Sequence, residues 1–161
     1  MQKLCQPIKN FWCANGALLY TSARVHYSDA AMTTMSRPAS VNFRLYPHAT
    51  FVANTVLLDA NQQPVDLTGY SARMQIKRDR SDLAPIYTLT TEPNGGIVLG
   101  SDGAIDITIP AGQTAPVLVP AIDPNGEVWF HDLLLTSPDG SLVERLYQGT
   151  VSAFPGVTVP A

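Results

Sequence analysis

Apolar side chains return at every second position in short runs, and that spacing constrains the fold more than anything else in the chain. Ala72, Met74 and Ile76 alternate with Arg73, Gln75 and Lys77, and Ile105, Ile107 and Ile109 alternate with Asp106 and Thr108. In an extended backbone neighbouring side chains point to opposite faces, so each run is oily on one side and wet on the other. A helix would need its apolar residues at a period of 3.6, and no such pattern is sustained. Short strands that must hide one face call for a second layer to hide it against.

The punctuation between runs agrees with that reading. Thirteen Pro and eleven Gly interrupt the 161 residues, too often for long helices. Val41-Asn42-Phe43-Arg44-Leu45 alternates, Phe51–Leu58 is rich in strand formers, and residues 86–91 form a further run behind Pro85. Asn94-Gly95-Gly96 supplies a turn before Ile97-Val98-Leu99, which is joined to the isoleucine run by Gly100-Ser101-Asp102-Gly103 as a hairpin. Residues 128–136 and 142–152 flank Ser137-Pro138-Asp139-Gly140, where Pro at the second place and Gly at the fourth predict a type I turn and a second hairpin. Helix is expected only near 113–118, cut short by Pro116. The total is seven or eight short strands, the pattern of an all-β sandwich.

The boundaries follow from where alternation starts and stops. Residues 1–38 form an irregular N-terminal arm, 39–153 the sandwich and 154–161 a C-terminal exit segment. Met32 and Met35 each offer an alternative start. The arm carries Phe11, Trp12, Leu18, Leu19 and Tyr20 without enough apolar residues for a core of its own, so these five are candidate assembly contacts on another subunit. Asn15 and Gly16 split the oily stretch, which argues against a secretory segment, and no run is long enough to span a membrane. Cys5 and Cys13 make no disulfide framework and are read as free thiols.

Charge narrows the partners. Only 14% of residues are charged and the formal net charge is −3, whereas nucleic-acid binding needs a basic stripe to displace counterions. Arg73, Lys77, Arg78 and Arg80 cluster, but Asp79 interrupts them and Asp82 follows, and the group reads as a solvated strand end and turn.

Catalytic chemistry has little to start from. His26, His48 and His131 sit in separate elements, and the pairings that hold metals or activate nucleophiles are missing from the sequence. His131 and Asp132 are strand neighbours and so face opposite ways, which leaves His131 as a core-edge or interface residue. Asp66 and Asp106 are the nearest thing to a carboxylate pair, with no aromatic cleft beside them. No catalytic, cofactor or metal residue is assigned. Trp129 and Phe130 also point oppositely, so one at least belongs to the core and a glycan platform is not expected.

Asp66-Leu67-Thr68-Gly69-Tyr70 is the most specific segment, and its residue types describe a structural corner. Asp66 can accept from the backbone two residues on, Gly69 admits positive φ, and Leu67 can tuck beneath the sandwich. With Ser71-Ala72-Arg73-Met74-Gln75-Ile76 it resembles a motif of small phage tail-module proteins, among them the N-terminal domain of phage upper baseplate proteins. The resemblance continues through Tyr87-Thr88-Leu89-Thr90, Asn94-Gly95-Gly96-Ile97, Gly103-Ala104-Ile105-Asp106-Ile107-Thr108-Ile109-Pro110, Asp132-Leu133-Leu134-Leu135-Thr136 and Arg145-Leu146-Tyr147-Gln148-Gly149-Thr150-Val151. It implies an immunoglobulin-like sandwich docked among other virion proteins in symmetric copies, made in the host cytoplasm; the residues themselves point to no cofactor, nucleic acid or membrane as partner. Head decoration and a carbohydrate-binding module are the competing readings.

Overall fold

The structure is a computed structural model that describes residues 22–26, 38–59, 61–118 and 126–155. Among them it places ten strands and one helix: β1 Ser22–His26, β2 Ala39–Ser40, β3 Phe43–Leu45, β4 Phe51–Leu58, β5 Ser71–Lys77, β6 Tyr87–Thr90, β7 Ile97–Leu99, β8 Ala104–Ile109, α1 Ala111–Leu118, β9 Glu127–Thr136 and β10 Val143–Ala153. No helix among the described residues is long and apolar enough to cross a membrane.

The strands form two sheets. One runs β1-β4-β8-β7, and the six-stranded other runs β2-β10-β9-β5-β6 with β3 also on β10. The connectivity β4-β8-β7 facing β10-β9-β5-β6 reproduces the B-E-D and G-F-C-C′ arrangement of immunoglobulin-like sandwiches. Both hairpins, β7–β8 and β9–β10, pair antiparallel in the positions the turns predict.

The alternation places the core as expected. Ala72, Met74 and Ile76 of β5 are buried, as are Ile105, Ile107 and Ile109 of β8 and Trp129, Leu133 and Leu135 of β9. Phe43 and Phe51 meet across the two layers edge to face at 5.3 Å, and full burial of each such side chain contributes about 1.5–3 kcal/mol. Trp129, only 1% exposed, lies on β9 within the hydrophobic core.

Three features depart from the alternation. Within the N-terminal arm, Ser22–His26 forms β1, pairing parallel with β4 at the sheet's edge. Ala23 and Val25 alternate there with Ser22, Arg24 and His26, a short signal set in an arm expected to be irregular. Of the run 41–45, expected as one strand, only Phe43–Leu45 forms β3; a separate short strand, β2, precedes it at Ala39–Ser40, and both keep the same parallel register on β10. These two events account for ten strands where seven or eight were expected. The third is a bulge in β10 between Arg145 and Tyr147. Its extra residue lets Leu146 and Tyr147 both turn inward.

Candidate functional site

The bulge also helps shape a polar concavity on the outer face of the six-stranded sheet. Before it, Arg145 lies opposite Leu134 on the outer face of the six-stranded sheet. After it, Gln148 lies opposite Asp132 on that same face. Strand β5 brings Gln75 opposite Asp132 and Lys77 opposite Phe130 from the other side. The result is a cavity of about 260 Å³ lined by Gln75, Lys77, Arg80, Phe130, Asp132, Arg145 and Gln148, with His131 beneath.

Local contacts hold these groups in place. Arg145 Nε lies 3.2 Å from Asp132 Oδ2, with both side chains partly exposed, an arrangement that contributes about 0–1 kcal/mol. Lys77 Nζ donates to the Asp82 carbonyl at 2.7 Å. The 78–82 loop is wound on Asp79, whose Oδ1 accepts from the Ser81 amide and hydroxyl. Those donors hold the Asp79 carboxyl below its usual range. The loop presents Arg80 over the Phe130 ring, 4.8 Å from its centroid. The solvated turn expected for Arg73, Lys77, Arg78 and Arg80 is thus partly ordered. Arg78 turns away to Glu127, which also accepts from the Trp129 indole at 2.8 Å.

Under this face sits a seam that joins the edge strand to β10. His131, 5% exposed, reaches inward, and its Nε2–H donates to the Val41 carbonyl at 2.8 Å. A carbonyl accepts only from N–H, which assigns the proton to Nε2. Nδ1 is buried and meets no partner among the described residues. A second ring proton would be stranded there, and burial accordingly lowers the His131 pKa against the opposing pull of the Val41 bond and the Asp132 charge. Gly149 pairs with His131, and a Cβ at that position would collide with the Val41 carbonyl. The missing side chain therefore lets the edge strand lie close on β10 at Val41, between β2 and β3. Val41 N donates to the Gln148 carbonyl at 3.0 Å, and Asn42 Oδ1 accepts from Thr150 N at 3.0 Å and from its hydroxyl at 2.9 Å. Phe43 and Tyr147 enclose the imidazole with ring centroids 4.6 and 6.0 Å from it. Burial pushes the Tyr147 phenol far up, opposed by an interaction with Thr55 that falls short of a well-formed hydrogen bond.

The sequence corner lies at the opposite end. Asp66 Oδ1 accepts from Thr68 N at 2.9 Å and from the Thr68 hydroxyl at 2.6 Å. Leu67 is 1% exposed, Gly69 has φ +78°, and the Tyr70 amide closes the turn on the Leu67 carbonyl at 3.1 Å. A second concavity of about 360 Å³ opens nearby, lined by Leu57, Asp59, Pro64, Val65, Tyr70, Leu135, Ser137, Leu142 and Glu144. Asp106, the other carboxylate of the pair considered, hydrogen-bonds Asn54 on the four-stranded sheet rather than joining Asp66. Phe11, Trp12, Leu18, Leu19 and Tyr20 lie outside the described residues, as do Cys5 and Cys13. Among the described residues no three His, Cys, Asp or Glu side chains group as metal ligands.

The molecule is therefore an immunoglobulin-like β-sandwich with a bulge-built polar face and an edge strand latched by a buried histidine. No family model matches the sequence, and no curated protein matches it. Among solved structures the chain is similar to the N-terminal domain of phage TP901-1 ORF48, at 9% identity and a TM-score of 0.37, over 83% of this chain and 97% of that one. At that score the likeness carries no argument, and the function of this chain has to be sought in its own residues.

Proposed function

We propose that this chain is a non-enzymatic structural component of a phage virion, docking at the tail tip, baseplate or fibre-attachment region. Support comes from the row of tail-module motifs, which falls in order on the corner, strands and hairpin turns of one sandwich. Docking of this kind uses geometry: sheet edges, loops and terminal arms meet neighbours in contacts that symmetry repeats. The polar outer face and the solvent-facing Val98, Val128, Leu142 and Val143 are surfaces on which such contacts form. If the arm orders on a neighbour, burying even about 400 Å² of apolar area contributes on the order of 10 kcal/mol before ordering costs.

The test is quantitative mass spectrometry of purified particles from a host carrying the gene. The protein is expected in the particle at fixed stoichiometry, with roughly a dozen copies or fewer for a tail position and roughly hundreds for head decoration. A protein found in the lysate but never in particles contradicts the proposal. The carbohydrate-binding alternative loses ground on geometry, because Trp129 is buried and Arg80 covers the face of Phe130.

A further inference from the structure

Charge is distributed unevenly over the sandwich. The polar concavity on the six-stranded sheet is lined by three cations, Lys77, Arg80 and Arg145, against one carboxylate, Asp132. The end that carries the corner has the opposite character. The β4–β5 connection, the β7–β8 turn and the β9–β10 turn meet there: Val65 N bonds the Leu57 carbonyl, Leu57 N bonds the Gly103 carbonyl, and Gly69 abuts Pro138. These segments bring Asp59, Asp66, Asp102 and Asp139 to one end, and residues 59–70, 100–103 and 137–142 contain no Lys or Arg.

The turns at this end bind their acids through backbone and hydroxyl donors. Asp66 and Asp102 engage neighbours in their own turns through Oδ1 alone among the described contacts. Hydroxyl and amide donors keep Asp66 below the usual carboxylate range, and they lower Asp139 to about 2.

We infer that the acidic end of one molecule docks on the cationic concavity of a second copy of this chain, giving a head-to-tail contact. The two surfaces are different parts of the same molecule, so the contact is heterologous and propagates into rings or open rows. Carboxylates of the tip meet Arg80 and Arg145, whose guanidinium forks suit paired oxygens. Arg145 exchanges or shares Asp132, a pair loose enough to open at little cost. The contact is independent of the virion proposal, because the purified chain alone tests it.

Sedimentation velocity of the full chain at low and high salt reads the contact directly. Self-association beyond a dimer is expected at low ionic strength, and it should dissolve near 1 M salt, where the Debye length falls to about 3 Å. Two variants separate the surfaces. Arg80→Glu with Arg145→Gln disarms the face, while Asp66→Asn with Asp102→Asn removes tip charge yet keeps side-chain acceptors for the turns. Each variant, shown folded by circular dichroism, should weaken association by roughly tenfold or more. Mixed together they should form a 1:1 pair and nothing larger, because only one intact tip and one intact face remain. A wild-type chain that stays monomeric at low salt overturns the inference, as does a disarmed variant that associates like the wild type or a mixture that fails to pair. A monomeric chain that instead binds inorganic phosphate at Arg80 and Arg145 also overturns it, by assigning the face to a free anion.

Discussion

The corner and the seam both tie chain to chain at the margin of the sandwich, yet they are built in opposite ways. At the corner, Asp66 holds Thr68 two residues away, in the open. At the seam, His131 holds Val41 across 90 residues of sequence, in a part-buried bond against the core. The contrast shows where each contact derives its strength. A solvated turn contact competes with water and contributes little net stability. The imidazole is buried, so truncating it loses a bond to a carbonyl that is only partly open to water and opens a cavity beside Phe43 and Tyr147.

Breaking the seam should therefore cost most. Gly149→Val places a side chain where the Val41 carbonyl now lies. It should destabilise the fold by about 3 kcal/mol or more, read from the denaturant midpoint. His131→Ala removes the bond and leaves a void beside Phe43 and Tyr147, for an expected loss of about 2–4 kcal/mol by the same measurement. At the corner, Gly69→Ala forces a side chain into φ +78° with its Cβ 3.3 Å from Pro138. The expected cost there is about 1–2 kcal/mol. If Gly69→Ala proves costlier than Gly149→Val, the ranking of the two regions is reversed.

Acid offers a gentler break of the seam. The His131 pKa is lowered in the folded protein, so below the ordinary histidine value of about 6.5 the unfolded chain binds the proton more readily. Stability is then full above that pH and declines as the pH falls toward the folded value. His131→Gln should be less stable throughout but should lack this part of the decline in thermal melts between about pH 7 and 5. An unchanged slope would mean that other groups carry it. The smallest effect is expected for Asp66→Ala, a slight drop in melting temperature that Asp66→Asn does not reproduce, since the amide oxygen still accepts from Thr68.

The same contrast explains what the sequence could disclose. The corner, the core faces of β5 and β8 and both hairpins were legible because their determinants lie within a few residues: an Asx contact, a two-residue alternation, a Pro-Asp-Gly turn. The seam was not, since nothing local to Val41 or Gly149 announces that they touch. Strand position marks His131 as a core-edge or interface residue, and only the tertiary arrangement reveals its acceptor. The cationic concavity was hidden by the bulge, which shifts the phase of β10 so that Arg145 and Gln148, three apart, share a face. The helix expected near 113–118 is present as α1, but it begins two residues earlier at Ala111 and runs past Pro116 to Leu118 rather than being cut short there. Strand β1 was hard to read although Ala23 and Val25 alternate with Ser22, Arg24 and His26, because this short run stands alone in an arm of otherwise irregular sequence.

Amide hydrogen exchange at Val41 and Thr150 is the sharpest probe of the histidine latch. Both amides are bonded only if the edge strand is folded over Gly149, Val41 to Gln148 and Thr150 to Asn42. Both should be protected at neutral pH in the wild type and should lose that protection together in His131→Ala, while the amides of β5 stay slow. Fast exchange at Val41 and Thr150 in the wild type, or protection indifferent to His131, would contradict the latch.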